Sequence, residues 1–508
     1  MARLTSPTSL IVPRNARRLL LAALLPFAAV AASHWDDPPS AEEGDYAHYL
    51  LHAKAIAEAR PYTDVGFIPT SMNWAVGPRI QPPGWPLVLA PFVAVFGTDS
   101  PVFKGLVTLL VAAFTLIAGT YFVRRGELLG GIAAAVAVPI SLETGGATGS
   151  ALSDPLFCVL LWLTLLVADG EGTSGWRRGV ILSLLCVATI SVRIAGVALP
   201  PALLLHAILN RRNDRVKVVI PLGLVLVVGG MVAVYLIGEI PFLSRAFTNM
   251  PSPSALADTY RTAVSEAALY PFGTNLANDA YHAVVAIPLV VGAVVFLKKN
   301  WRSAITLFVL TYVALLATAP VRDPRYAWPL YPLFMACVAI GLSWLGNRFM
   351  PLRMRQAVPG LALVFIAAVS IAAAVRLTRI PEPRSLVRDP DTMALFAWFR
   401  VTDDTTNMRV VFTNPRVLTL ETDVPAMAIP VGDANEVLAE FDRKGITHVV
   451  VPRRHLTRRS EERLVAIVAE RRANFQPVFE NATHDVRRFV AHPVSAVDSG
   501  AAHFPRPQ

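Results

Sequence analysis

The chain has 508 residues, 54% of them hydrophobic and only 16% charged, with a mean hydropathy of +0.50. Soluble globular chains carry about 25% charged residues, so this composition excludes a disordered, fibrous or ordinary cytosolic protein and points to a polytopic membrane protein. The net charge of +10 does not require nucleic acid, because basic loops on one membrane face account for it.

A membrane span needs roughly 20 apolar residues. Runs approaching that length predict spans at 19–33, 105–123, 128–142, 151–168, 179–192, 194–209, 218–238, 283–297, 303–320, 327–345 and 357–375. The run at 85–97 (WPLVLAPFVAVFG) is shorter and flanked by proline, so it reads as re-entrant or interfacial. Arg14, Arg17 and Arg18 place the N-terminus inside. The loops that then fall inside hold the basic clusters Arg124–Arg125, Arg177–Arg178, Arg211–Lys217, Lys298–Arg302 and Arg348–Arg355. The loops that fall outside are 34–104, 143–150, 239–282 and 321–326, and the first is rich in acid: Asp36, Asp37, Glu42, Glu43, Asp45, Glu58, Asp64 and Asp99. Counting 85–97 as a span would reverse this order. The charge rule therefore favours about eleven spans, with the first run a retained anchor and the chain's C-terminal part outside.

After Arg376 the character changes. Residues 377–491 are charged and mixed, with β-type runs at 409–413 and 447–451 and helix-like stretches near 390–400, 434–444 and 459–473. They read as a small α/β domain on the outer side, followed by a disordered tail at 492–508. Cys158, Cys186 and Cys337 lie in apolar stretches and suggest neither a disulfide framework nor a C-x-x-C pair.

Candidate chemistry gathers in the outer loops. In EEGDYAHYLLHAKAIAEARPY (42–62), a helix would place Asp45, His48, Tyr49 and His52 on one face. Such an acid suits a general base, although a solvated amphipathic helix has the same pattern. His48 and His52 also have a metal-ligand spacing, but no third ligand is evident. The segment RIQPPGWPLVLAPF (79–92) is a rigid turn feeding an apolar segment. In GSALSDPLF (149–157), Asp154 is either a functional acid near a span's outer end or part of a helix start. Arg193 interrupts an apolar run, and Arg322 and Arg325 precede the tenth span. An arginine in that setting needs an anion, either a protein carboxylate such as Asp154 or a lipid phosphate.

In this order, D-x-x-x-Y with its Ala-rich helix and PY step, PPGWPL, SALSDPLF, R-x-x-G and RYAWPLYPL resemble polyprenyl-phosphate-sugar glycosyltransferases of the GT-C fold. These are bacterial membrane enzymes related to protein O-mannosyltransferases and lipid A aminoarabinose transferases. NPRVLTLETDVPAM (414–427) looks like a segment of their soluble domains. The resemblance implies a mainly α transmembrane bundle over 1–376, with catalytic outer loop 34–104, and a periplasmic α/β domain over 377–491.

It also implies an inverting enzyme of the bacterial inner membrane. Such an enzyme moves a hexose or pentose from a polyprenyl-phosphate donor to a glycan, lipid or protein acceptor, with membrane lipids as partners and no nucleic acid. Asp45 matches the base, with Glu42 and Glu43 as rivals, and Asp154 matches the second acid. Glu43, Tyr49, Arg193, Arg322, Arg325 and Tyr326 would line the substrate, the arginines holding the donor phosphate. No cofactor is demanded, and a divalent metal stays open, since some relatives bind one. An oligosaccharide ligase or polymerase, or a lipid or sugar transporter, would share much of the same logic.

Overall fold

The structure is a computed structural model, and it describes residues 13–33, 44–70, 81–98, 101–140, 151–170, 175–210, 215–239, 276–317, 324–351, 389–402, 407–454 and 459–490, with a few single positions besides. The chain forms two compact units, one of residues 1–64 and 79–385 and one of residues 65–78 and 386–508. The segment 65–78 thus leaves the first unit, joins the second and returns. Nothing in its sequence announces that excursion.

The first unit is helical. Its described helices are α1 (Arg14–Ala22), α2 (Leu25–Ser33), α3 (Gly44–Ala57), α4 (Gly84–Phe96), α5 (Val102–Arg124), α6 (Leu128–Ala137), α7 (Asp154–Asp169), α8 (Gly175–Val192), α9 (Leu199–Leu209), α10 (Arg215–Glu239), α11 (Leu276–Asn300), α12 (Ala304–Ala317) and α13 (Tyr331–Phe349). Leu, Val and Ala dominate most of them on all sides, as buried or lipid-facing helices require; α1 (RNARRLLLA) and α3 (GDYAHYLLHAKAIA) are the polar exceptions. Among the described residues, four helical stretches are long and apolar enough to cross a membrane: Arg14–Ser33, Val102–Arg124, Gly175–Val192 and Arg325–Phe349.

The first predicted span, 19–33, is broken at Ala23–Leu24 into two short helices. The third, 128–142, leaves α-helix after Ala137 for a 3₁₀ turn containing Pro139. The sixth opens on a 3₁₀ turn, Ile194–Ala198. The short run at 85–97 is α4; its 13 residues extend about 20 Å, short of a bilayer's hydrocarbon core. The eleventh predicted span, 357–375, lies largely outside the described residues, as do the loops 143–150 and 321–323, most of 239–282, and the tail 492–508.

Close helix contacts depend on small residues. A Cβ on Gly131 would come within 2.7 Å of the Gly119 carbonyl oxygen, so α5 and α6 pack backbone to backbone. At the α11–α13 contact, a Cβ on Gly292 would overlap the Cys337 carbonyl, and one on Gly341 would overlap that of Pro288. Helices α3 and α4 pack on each other, as do α5 and α7, α8 and α10, and α9 and α12.

The second unit is α/β. Its elements are β1 (Phe67–Ile68), α14 (Pro390–Val401), β2 (Val410–Val411), α15 (Pro415–Thr422), β3 (Ala426–Met427), α16 (Ala434–Lys444), β4 (His448–Pro452), α17 (Arg459–Glu470), β5 (Phe475–Glu480) and β6 (His484–Phe489). The sheet order is β1-β3-β2-β4-β6-β5. The first four strands run parallel, and β6 and β5 are antiparallel additions. Ile68, Val411, Met427, Phe441, Val449 and Leu464 share its core.

Local signals are clear here. Asp433 and Glu436 form a capping box at the start of α16, and Gly445 closes it at φ +63. The excursion is anchored by β1 pairing with β3 and by Thr70, whose hydroxyl donates to the buried Glu440 carboxylate at 2.6 Å. Asn481, in a glycosylation-type triplet, is occupied by the β5–β6 turn. Its Oδ1 accepts from the backbone N–H groups of Thr483 and His484, and its Nδ2 donates to the Asp391 carbonyl.

Candidate active site

The site is built within the helical unit from four separated pieces of sequence. The first is α3. Its Tyr46, His48, Tyr49 and His52 are all buried, so the reading of this stretch as a solvated amphipathic helix does not hold. Asp45 stands in the first turn, where a carboxylate is favoured by the unpaired N–H groups and helix dipole. Its side chain is 35% exposed. Glu42 and Glu43 lie outside the described residues.

The second piece is the PPGWPL turn. A Cβ on Gly84 would meet Ser191 at 2.6 Å, so only glycine lets α4 start this close to the end of α8. The Trp85 indole donates to the Ala151 carbonyl at 2.7 Å. That bond ties the turn to the third piece, the start of α7. There Ser153 and Asp154 are both buried, and Pro155 sits at a position that helix starts favour.

The fourth contribution comes from two arginines. Arg193 has extended backbone between α8 and the 3₁₀ turn that follows. This break turns its guanidinium inward, where Nη1 donates to Asp154 Oδ2 at 2.6 Å and to Ser153 Oγ at 3.3 Å. The Tyr49 hydroxyl lies 2.8 Å from the same Ser153 Oγ. The Arg193 guanidinium also stands 5.7 Å over the Tyr326 ring. Arg325, in the 3₁₀ turn Pro324–Leu330 before α13, reaches Asp45 Oδ2 at 3.5 Å. Trp162 and Tyr312 hold this turn from below by donating to the carbonyls of Pro329 and Tyr326. Arg322 lies outside the described residues.

The structure therefore brings Asp45, Tyr49, Asp154, Arg193, Arg325 and Tyr326 together as two carboxylate–guanidinium pairs. They differ in kind. Asp154–Arg193 is short and buried, with side chains 5% and 18% exposed. Asp45–Arg325 is longer and more open, with side chains 35% and 21% exposed. Arg193 thus meets a protein carboxylate, that of Asp154. Burial pushes the Tyr49 phenol well above its ordinary value, against the opposing pull of Arg193. It remains a neutral hydrogen-bonding group.

Two contributors had no assigned place in the sequence reading. Gln81 Nε2 donates to Asp45 Oδ1 at 3.4 Å, and the Tyr62 hydroxyl donates to the Gln81 carbonyl at 2.8 Å. A polar residue directly before the paired prolines was the available signal. The Tyr62 ring stacks on His52, with centroids 4.0 Å apart, and His52 stacks on His48. The Nε2 atoms of His48 and His52 lie 3.0 Å apart as hydrogen-bond partners. No group of three or more metal-ligating side chains occurs among the described residues.

Residues of three of the basic clusters assigned to inside loops, Arg125, Arg178 and Lys299, meet at the other end of α7. Asp169 pairs there with Arg125 at 2.6 Å and accepts from Tyr121; Lys299 reaches Glu127, and Arg125 reaches Asn300. The 16 residues of α7 put about 24 Å between the two polar ends. One end gathers paired acids and arginines around an open carboxylate. The other gathers Arg125, Arg178 and Lys299.

No family model and no curated protein matches the chain. Solved structures do. The apo structure of ArnT from Cupriavidus metallidurans has a TM-score of 0.57 at 14% identity, covering 93% of this chain and 99% of that one. The same protein bound to undecaprenyl phosphate has a TM-score of 0.53 at 14% identity, covering 93% and 98%. An Archaeoglobus fulgidus oligosaccharyltransferase, in complex with Zn and sulfate, has a TM-score of 0.54 at 14% identity, covering 85% and 67%. The chain shares the GT-C fold of these proteins.

Proposed function

We propose that this chain is an inverting membrane glycosyltransferase that moves a sugar from a polyprenyl-phosphate donor to an extracytoplasmic hydroxyl. The observation that carries this reading is the unequal pair of carboxylate–guanidinium contacts at one end of the bundle. The open pair is suited to reaction and the buried pair to support. ArnT, of the same fold, has been solved with undecaprenyl phosphate bound, which favours a lipid phosphate as the group to be recognised here.

Asp45 is the base in this reading. It takes the proton from the acceptor hydroxyl as that oxygen attacks the anomeric carbon. The bond from that carbon to the phosphate oxygen breaks on the opposite face, and its electron pair leaves with the polyprenyl phosphate. One displacement inverts the anomeric centre. Arg325 supports Asp45 in the resting site and, when the donor enters, offers its planar donors to the phosphate, where charge develops. Arg193 is already committed to Asp154, so its part is to hold the floor of the site, with Ser153 and Tyr49. Tyr326 lies between the two arginines' positions, where a ring can cover a sugar face.

The bundle's cationic end faces the cytoplasm and the site end faces outward, in a bacterial inner membrane, with the 386–508 part outside. Mass spectrometry of cell-envelope glycans from cells with and without the protein tests the function. Loss of one sugar substituent from one acceptor is expected. Unchanged glycans together with altered lipid distribution between leaflets would instead indicate transport.

A further inference from the structure

We propose that Gln81 and Tyr62 form a positioning relay for Asp45, resting on the reading of Asp45 as the base. The Asp45 carboxylate is held from two sides. Gln81 Nε2 approaches Oδ1 at 3.4 Å and Arg325 Nη2 approaches Oδ2 at 3.5 Å. Both contacts are long, as hydrogen bonds around a reacting group commonly are before substrate tightens them. A carboxylate gripped through both oxygens has little rotational freedom, and near-attack placement is worth orders of magnitude in rate.

Gln81 needs support of its own, because it sits in a turn. Tyr62 supplies it by donating to the Gln81 carbonyl at 2.8 Å. Burial pushes the Tyr62 phenol well above its ordinary value, so it keeps the proton it donates. The tyrosine ring is fixed in turn by stacking on His52 at 4.0 Å, and His52 Nδ1 lies 2.8 Å from the Tyr62 carbonyl oxygen. His52 is fully buried, which anchors the relay to α3, the helix that carries Asp45.

The position of the relay in the chain gives it a purpose. Tyr62 and Gln81 flank the excursion 65–78, which belongs to the second unit. Their hydrogen bond clamps its two stems together inside the helical unit.

The groups acting on Asp45 are identifiable. Among them are Arg325 from the turn before α13, Gln81 from the turn before α4, and Tyr49 on its own helix, whose hydroxyl feels the Asp45 charge. Helix α4, packed against α3, contributes no titratable side chain. Glu42 and Glu43 lie outside the described residues.

The test uses the full-length protein in lipid nanodiscs and a water-soluble carbodiimide with glycine ethyl ester, whose rate of reaction with a carboxyl falls as that carboxyl ionises, normalised to a free carboxylic acid at each pH. Tandem mass spectrometry follows labelling at Asp45 across pH and needs no substrate. Gln81→Leu removes a donor to the charged form, so the labelling midpoint moves up by roughly half a pH unit or more. Tyr62→Phe moves it the same way by less. Gln81→Glu places a like charge beside Asp45 and moves it furthest, whereas Gln81→His, an imidazolium where a carboxyl titrates, moves it down. Adding Tyr62→Phe to Gln81→Leu gives no further shift, because Tyr62 acts through Gln81. An unmoved midpoint in both Gln81→Leu and Tyr62→Phe overturns the relay, as does a fully additive double variant. Full sugar transfer by Asp45→Asn would overturn the base reading alone and leave the labelling result standing.

Discussion

Asp45 and Asp154 are both acids beside an arginine, and their surroundings give them different work. Removing the Asp154 charge leaves Arg193 buried without its carboxylate. Breaking a buried pair in this way costs about 3–5 kcal/mol, so Asp154→Asn lowers the thermal midpoint by several degrees as well as activity, measured by differential scanning fluorimetry. Asp45→Asn removes a carboxylate that is one-third exposed, so it leaves melting near wild type and cuts transfer by about 10²–10⁴-fold, the usual worth of a general base. The spacing of the sequence showed that Asp45, Tyr49 and His52 share a helix face. It could not show that Arg193 would choose Asp154, because that pairing depends on a helix break bringing residues 39 apart together. In the second unit, burial lowers His484 below the ordinary histidine value, against Asp389 and Asp391. The unfolded chain then binds a proton more readily than the folded one. Stability contributed by this residue is present above about pH 6.5 and is lost as pH falls from there through the lowered value. A His484→Gln variant flattens that acid-side loss in thermal melts of the full chain.

At the scale of elements, apolar runs located most of the described helices of the first unit, because a run of Leu, Val and Ala long enough to cross lipid has few other solutions. The breaks were harder to read. The pause at Ala23–Leu24, the 3₁₀ turn after Ala137 and the one at Ile194–Ala198 each lie beside a proline, Pro26, Pro139 and Pro200, but proline is equally at home in the first turn of a helix, so it marks no break by itself. In the second unit β2 and β4 fell within predicted runs. Strands β1 (Phe67–Ile68) and β3 (Ala426–Met427) are as short as β2 but lack the β-branched run that marks it, and β1 comes from a segment more than 300 residues away from its partner. Its anchor is open to test. Thr70→Val leaves the buried Glu440 carboxylate without a 2.6 Å donor, a loss of about 1–3 kcal/mol. Chemical denaturation followed by hydrogen exchange should show β1 and α16 losing protection first. Gly84→Ala drives a methyl into Ser191, so α4 must shift outward. The Trp85–Ala151 bond is then strained, and hydrogen exchange at the start of α7 rises.

At the scale of the whole molecule, Arg125 and Lys299, from two of the basic clusters read as inside loops, meet Asp169 and Glu127, at the end of α7 opposite Asp154, and the proposed topology makes these two ends the inner and outer faces. Fusing an alkaline phosphatase to the C-terminus should give full periplasmic activity, and moving it after Arg125 should abolish activity. The reverse pattern would put the site on the wrong side for an extracytoplasmic acceptor. The most direct test of the proposed chemistry is donor turnover by the purified chain in liposomes, using polyprenyl-phosphate sugars extracted from the cells that make it. The wild type is expected to release free polyprenyl phosphate and form a product of inverted anomeric configuration, and an Asp45→Asn chain that melts like wild type should be at least ~100-fold slower. Equal turnover by the two chains, or retention of configuration, would contradict it.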